Sequence, residues 1–136
     1  MFETIDPKKV TDIESIKAFT GDVDPEEIYS FYQSEIGKLL IESDEVYKEA
    51  PFIVGDMKDD SEILVQGVID CYFKCGDGYI IVDYKSDNIT DKNRKERIDM
   101  YSIQLEYYKK AVKKIHNTEN VKSYIYFTKT KEIIEV

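Results

Sequence analysis

Cysteine, histidine and long hydrophobic runs are scarce in this sequence. Its two cysteines, Cys71 and Cys75, have no second pair and no histidine beside them, which is too little for a zinc site or an iron–sulfur cluster. We expect free thiols rather than a disulfide. No apolar run approaches the ~18 residues that cross a bilayer, and the first nine residues, MFETIDPKK, lack a signal-peptide core. These absences predict a cytoplasmic protein.

A positive net charge is also absent. The chain has 28 acidic and 19 basic residues, a net charge of −9. This balance argues against a stand-alone DNA-binding module, which would need a positive field. It does not argue against a nuclease, because acidic clusters that bind Mg²⁺ contribute to the same total. The sequence also contains no GxxxxGK(S/T) loop, so we expect no ATPase within it.

The length of 136 residues predicts one domain, residues 1–136, with a central mixed sheet flanked by helices, an α/β (α+β) fold. Asp24, Pro25 and Glu27 mark the start of the second helix. The predicted helices are residues 11–19, 26–43 and 98–117; the predicted strands are 46–54, 63–73, 79–85, 122–128 and 132–136. The segments 57–61 and 75–78 are expected to be turns, and 87–97 a charged connection.

Periodicity also predicts which side chains of the helices face the core. For the second helix they are Ile28, Phe31, Tyr32, Ile36, Leu39 and Leu40, and for the third Ile103, Tyr107, Ala111, Val112 and Ile115.

An acidic constellation stands at the ends of two predicted strands. In YIIVDYKSD, Asp83 and Lys85 are two residues apart and therefore share a strand face. Asp70 ends QGVID on the preceding strand, which the hairpin places alongside. Two carboxylates and a main-chain carbonyl suit Mg²⁺, and a lysine can hold the attacking water or balance charge on a phosphorane. The alternative is a structural Asp–Lys pair, with Asp70 serving only the hairpin.

Three segments together, QGVID, IVDYKSD and YSIQLEYY, resemble the nuclease domain at the C-terminus of bacterial AddA and RecB helicase–nucleases. That family belongs to the PD-(D/E)xK superfamily, with a restriction-endonuclease-like fold. The matching elements are Gly67–Asp70, Val82–Lys85, and Gln104 with Tyr108. EAPF, residues 49–52, resembles the segment that opens the first sheet strand in AddA proteins.

The resemblance implies a role for each matching residue. Asp70 and Asp83 would be metal ligands, with the carbonyl of Tyr84 completing the site, and Lys85 would be the catalytic lysine. Gln104 and Tyr108, one helical turn apart, would face a phosphate or the site. The metal would be Mg²⁺, for which Mn²⁺ can substitute.

Other polar residues allow two interpretations. Gln66 precedes the QGVID glycine and is a weaker candidate for a site contact. Glu49 is either an additional acid or a solvent-facing charge on its strand. Four basic residues of the charged connection could touch DNA phosphates, or could only be solvated: Lys92, Arg94, Lys95 and Arg97.

Two features depart from the family pattern. RecB-type nucleases place a metal-binding histidine upstream of the first helix, whereas the only histidine here, His116, ends the last helix and is expected to be exposed. The four-cysteine pattern of AddB-like nucleases is also missing. We therefore expect the chain to be the C-terminal piece of a longer AddA-like helicase–nuclease; a native reading frame starting at Met1 would contradict this.

Three functions remain open at this stage. The leading one is a Mg²⁺-dependent exonuclease that cuts a single DNA strand, the 3′-ended strand in the AddA type, fed by upstream helicase domains and paired with an AddB-type nuclease in double-strand break repair. The second is a noncatalytic docking module with a vestigial motif. The complete Asp–Asp–Lys set argues against it, because a module that had lost its activity would have little reason to keep all three residues. The third is a small stand-alone nuclease of the superfamily.

Overall fold

The computed structural model describes residues 25–136. In chain order the elements are α1 (Pro25–Gln33), α2 (Glu35–Glu42), β1 (Val46–Lys58), β2 (Ser61–Cys75), β3 (Gly78–Lys85), α3 (Arg94–His116), β4 (Val121–Phe127) and β5 (Glu132–Glu135). The predicted helix 11–19 lies outside the described residues. No helix of the described part combines the length and apolarity needed to cross a membrane.

The sheet contains both strand orientations, as predicted. Its order is β1-β2-β3-β4-β5. The pairs β1–β2, β2–β3 and β4–β5 are antiparallel, whereas β3 and β4 are parallel. Parallel neighbours need a crossover connection, and α3 provides it. This α/β arrangement is consistent with a PD-(D/E)xK-like core.

Each face of the sheet has its own hydrophobic core. Along β3 the side chains alternate, so that Ile81 joins one core and Ile80 and Val82 the other. The α3-side core includes Phe52, Ile69, Tyr72, Leu105, Tyr108, Val112, Ile125 and Phe127. The α1–α2-side core includes Phe31, Tyr32, Leu40, Cys71, Phe73 and Tyr126. Both cysteines are free, which confirms the thiol prediction.

The single helix predicted for residues 26–43 is wrong, because the chain breaks at Ser34. The Oγ of Ser34 accepts a hydrogen bond from the Gly37 N–H at 3.1 Å and caps α2. Gly37 packs so closely on α1 that a Cβ there would lie 2.1 Å from the Phe31 carbonyl oxygen. Leu39, predicted to face inward, is 36% exposed, since the break reorients α2. The predicted start, with Asp24 before Pro25, lies at the edge of the described residues, and α1 (Pro25–Gln33) is the first described element.

Helix α3 starts four residues earlier than predicted, and Ala111 and Val112 are buried as predicted, whereas the rest of the buried stripe differs. Its first turn forms from the charged segment that was expected to be a connection. Its buried residues are Leu105, Tyr108, Ala111 and Val112. Ile103 is 65% exposed because it lies about 200° around the helix from Leu105. Ile115, also predicted to face inward, is 56% exposed in the last turn.

The β1–β2 hairpin is longer than expected. The predicted turn 57–61 shrinks to Asp59 and Asp60, which both have positive φ angles, 51° and 62°. Such angles are typical of the tight two-residue turns that join antiparallel strands. Strand β2 pairs with β3 only over Cys71–Cys75, so the rest of the hairpin forms a two-stranded arm.

Candidate active site

Asp83 and Lys85 lie at the end of β3, on the face covered by α3. Strand alternation places them on the same side as Ile81, which belongs to the α3-side core. Asp83 is 1% exposed, and the Nζ of Lys85 lies 2.9 Å from its Oδ2. The predicted shared face is therefore observed, and the charge pair is buried at the edge of the core.

Asp70 reaches the same place from β2. The last bonded pair of the β2–β3 ladder is Cys71 with Val82, and Asp70 and Asp83 are the next residues on each strand. Instead of continuing the ladder, the carboxylate Oδ2 of Asp70 accepts a hydrogen bond from the Tyr84 N–H at 3.0 Å. The strands separate where the two carboxylates meet.

The β1–β2 arm has an irregularity at the same level. Glu49 stands opposite Asp70, but this pair is missing from the ladder, and Glu49 has φ = 48°. At this level the alternation of side chains that face the α3-side core changes on both strands. On β1 these residues are Tyr47, then Ala50, Phe52 and Val54, and on β2 they are Tyr72, then Ile69 and Val65. Each strand thus has one extra residue between successive core-facing positions next to Asp70. Glu49 itself is exposed, as one of its two interpretations expects.

Burial and a neighbouring charge act together on Asp83. Burial and, to a smaller extent, the charge of Asp70 raise the pKa of its carboxyl, Lys85 partly opposes the increase, and the net pKa is about 7. The two acids therefore repel each other when both are ionised. A shift of this kind is characteristic of functional sites, though structural ion pairs also produce it.

A chain of hydrogen bonds links Lys85 to α3. Its Nζ donates to Oε1 of Gln104 at 3.0 Å, and Nε2 of Gln104 donates to the Tyr108 hydroxyl at 2.7 Å. Tyr108 is buried, and its ring packs edge-on against Phe52. Burial, with the charges of Asp83 and Asp70, raises the pKa of Tyr108, so its hydroxyl stays neutral. The structure thus brings the predicted glutamine and tyrosine to Lys85.

The two carboxylates carry more negative charge than the one ammonium beside them. Oδ2 of Asp83 is buried, and its partner is the Lys85 ammonium at 2.9 Å. A divalent cation held between Asp83 and Asp70 would compensate the charge of both carboxylates, which one ammonium does not. The described residues contain no cluster of three or more histidine, cysteine or acidic ligands. Two carboxylates fit Mg²⁺, which keeps several waters. The Tyr84 carbonyl ligand stays a prediction.

Gln66 is not among the residues brought together. It lies four positions before Asp70, about 13 Å along the strand, and is exposed. It faces a cavity of about 670 Å³ that it shares with Pro51, Ile53 and Val68, and none of the site residues described above lines that cavity.

The basic residues of the predicted connection are mostly in ion pairs at the start of α3. Arg94 pairs with Glu132, Lys95 with Asp99 and Arg97 with Asp87. Lys92 is exposed in the turn before the helix. Their proposed contact with DNA phosphates stays a prediction.

His116 is not exposed as predicted, because the last turn of α3 passes over a group of tyrosines. Its ring stacks on Tyr79 with 4.0 Å between the centroids, and its Nε2 is 3.0 Å from the Tyr72 hydroxyl. This cluster lies at the opposite end of α3 from Lys85. The histidine therefore fastens the helix to the sheet.

Two residues near Lys85 were missed. The ring centroid of Tyr101 lies 4.5 Å from Nζ of Lys85, and the Tyr101 hydroxyl donates to Asp87. Tyr101 precedes Gln104 by three residues, so helical spacing could have indicated it. Asp87 follows β3 in an irregular segment, where sequence spacing predicts no direction.

Comparison with known proteins identifies relatives that are much longer than this chain. No protein-family model matches the chain. The AddA-type ATP-dependent helicase/nuclease of Clostridium acetobutylicum is 35% identical over 120 residues, covering 80% of this chain and 10% of the relative. The protein of the same name from Alkaliphilus oremlandii is 37% identical over 114 residues (76% and 10%), and that from Syntrophomonas wolfei 30% over 122 residues (84% and 10%). The chain spans about a tenth of the length of these curated relatives.

Proposed function

Because this chain is homologous to a segment of AddA-type ATP-dependent helicase/nuclease proteins, we propose that it hydrolyses DNA phosphodiester bonds with a divalent metal ion. The observation that carries the proposal is the position of Asp70 opposite the buried Asp83 where the β2–β3 ladder ends, with the Lys85 ammonium 2.9 Å from Oδ2 of Asp83. A purely structural ion pair would gain nothing from a second, half-buried acid beside it, since the added negative charge is destabilising.

In this proposal Asp70 and Asp83 hold Mg²⁺, or Mn²⁺ in its place, and the bound ion supplies Lewis acidity toward a phosphoryl oxygen. Lys85 orients the attacking water and balances the negative charge that develops on the phosphate. Gln104 keeps the lysine directed at the site through its 3.0 Å hydrogen bond, and Tyr108 fixes the other end of that amide.

Within a full-length helicase–nuclease, the domain would act as an exonuclease on a single strand delivered by ATP-driven helicase domains. The role would be resection of double-strand breaks for recombination, with an AddB-type protein as partner. The helicase and nuclease activities follow the names of the relatives, whereas the exonuclease action, the role in resection and the AddB-type partner follow the resemblance to AddA and RecB proteins.

The test is cleavage of end-labelled linear single-stranded DNA by this chain, with Mg²⁺ or Mn²⁺ and with EDTA. Lys85→Ala should lower the rate by about 100-fold or more, the usual effect of removing a charge-stabilising group. Lys122→Ala, which removes an exposed lysine from β4, is the matched control and should cleave normally. Calorimetric titration with Mn²⁺ reports metal binding independently of cleavage.

The possible outcomes distinguish a nuclease from a noncatalytic docking module. Metal-dependent cleavage that disappears in Lys85→Ala but not in Lys122→Ala supports the proposal. Metal binding without cleavage would restrict activity to a longer protein. Neither binding nor cleavage would contradict the proposal and favour a noncatalytic docking module.

A further inference from the structure

Three groups surround the Lys85 ammonium, but only two of them belong to the proposed machinery. Oδ2 of Asp83 lies at 2.9 Å and Oε1 of Gln104 at 3.0 Å. The third is the ring of Tyr101, whose centroid lies 4.5 Å from Nζ. A cation within about 6 Å of an aromatic ring face is attracted by the ring quadrupole.

The ring of Tyr101 is itself held at its hydroxyl. The hydroxyl donates to Oδ2 of Asp87 at 2.5 Å, and Nη1 of Arg97 donates to the same oxygen at 3.0 Å. Arg97 precedes Tyr101 by one helical turn on α3. Asp87 follows Lys85 by two residues, so the segment that leaves β3 folds back to fasten the helix beside the lysine.

The position of the ring has a physical use. A lysine side chain has four rotatable bonds and a compact, strongly hydrated charge, so a fixed ammonium must be confined on several sides. The Lys85 side chain is only 19% exposed. Asp83 and Gln104 hold it by electrostatics and hydrogen bonding, and the ring closes a further side without adding another charge.

We propose that Tyr101 is a positioning residue: its ring face confines the Lys85 ammonium next to Asp83, and Asp87, together with Arg97, holds the ring in place. The confinement is a property of this chain alone. Its consequence for cleavage rests on the proposed nuclease function.

A simpler role for Tyr101 is packing, since its ring also lies 6.2 Å from that of Phe127. Two substitutions separate the roles. Tyr101→Phe keeps the ring and the packing but loses the hydroxyl. Tyr101→Leu keeps apolar volume but loses the ring. Asp87→Asn weakens the anchor without touching the ring, and remains informative if the leucine variant does not fold.

The first readout needs neither metal nor cleavage. The ε-methylene protons of Lys85, assigned in NMR spectra by their absence in Lys85→Ala, should resonate upfield of those of other lysines because of the ring current of Tyr101. We expect Tyr101→Phe and Asp87→Asn, which keep the ring but lose or weaken its anchor, to reduce this shift in part, and Tyr101→Leu to abolish it. An unshifted Lys85 signal in the unsubstituted protein, or the same shift in Tyr101→Leu, would overturn the proposal.

The second readout is single-turnover cleavage. Tyr101→Leu should slow the chemical step by about tenfold or more with little change in half-saturating DNA concentration, since misplacing a catalytic group affects the rate rather than binding. Tyr101→Phe should slow this step less than Tyr101→Leu does, because it keeps the aromatic ring. Equal rates for the leucine variant and the unsubstituted protein would overturn the catalytic consequence. A normal ring-current shift in a chain that neither binds Mn²⁺ nor cleaves DNA would contradict the nuclease function and leave the confinement intact.

Discussion

Asp70 and Asp83 stand opposite each other one step beyond the last bonded pair of the β2–β3 ladder, Cys71 with Val82. A ladder that continued would have held the backbones together at this point. The Tyr84 N–H donates to the side chain of Asp70 instead. The two acids therefore meet at a gap between strands, where oxygen ligands can converge on one ion.

Stability should depend on pH through Asp83. Its pKa is raised from 3.8 to about 7, so the folded protein binds this proton more tightly than the unfolded chain. The free energy of unfolding should therefore fall as pH rises from about 4 to about 7, by up to ~4 kcal/mol for this group. Asp83→Asn, which does not titrate, should lack this part of the dependence. Urea unfolding of both proteins in EDTA across this range measures it; parallel curves would contradict the assignment.

Divalent cations should stabilise the protein by satisfying the carboxylates. Mg²⁺ in excess should raise the melting temperature by about 5 °C, as expected for a ligand that binds only the folded state. The effect should be larger at pH 8 than at pH 6, because the proton on Asp83 competes with the metal. Asp83→Asn is the control and should not respond. An equal increase in melting temperature with NaCl at matched ionic strength would exclude specific binding.

Gln104 and Tyr108 should act as a unit. Gln104→Ala leaves Lys85 without its acceptor, and Tyr108→Phe leaves Nε2 of Gln104 without one. We expect Gln104→Ala to slow cleavage about tenfold, Tyr108→Phe less, and the double variant little more than Gln104→Ala alone. In a double-mutant cycle on urea unfolding, the coupling should be about 1 kcal/mol. Additive changes in the free energy of unfolding would show that the hydrogen bond between Gln104 and Tyr108 does not contribute to stability.

His116 should matter for stability and not for cleavage. Replacing it by alanine removes the stack on Tyr79 and the hydrogen bond with Tyr72, and should lower the free energy of unfolding by about 1–2 kcal/mol. Ile115→Ala, in the same turn but 56% exposed, is the matched control and should change stability by about 0.5 kcal/mol or less. Loss of cleavage by folded His116→Ala protein would contradict the structural role.

Local sequence signals predicted the five strands and the face shared by Asp83 and Lys85, whereas the family resemblance singled out Gln104 and Tyr108. Alternation identified the strands, and apolar β3 ending in Asp83 and Lys85 was readable because period two fixes the face. The i, i+4 spacing correctly placed Gln104 and Tyr108 on one face. The mixed sheet followed from hairpin signals and from a helix between two strands.

Features set by tertiary contacts were not readable. The rotation of α3 depends on how Leu105 and Tyr108 fit the sheet, so the outward positions of Ile103 and Ile115 could not be derived from a helix with several possible apolar stripes. The change in side-chain alternation at Asp70 depends on how β1 and β2 pair, so neither Glu49 nor Asp70 indicates it in the sequence alone. The environment of His116 depends on residues from two distant strands.

Among residues 25–136, the contacts that hold the arm formed by β1 and β2 beyond Asp70 come from α3 on one side. Tyr108 packs on Phe52, and the Tyr107 hydroxyl donates to Asp56, whereas Ile53, Leu64 and Val68 on the other side are 63%, 72% and 50% exposed. A two-stranded ribbon with one covered face opens at a lower free energy than central strands, so its amides exchange hydrogen with solvent sooner. Asp70 lies at the base of this ribbon. Opening of this hairpin would therefore change the distance between Asp70 and Asp83, the two acids proposed to hold the metal.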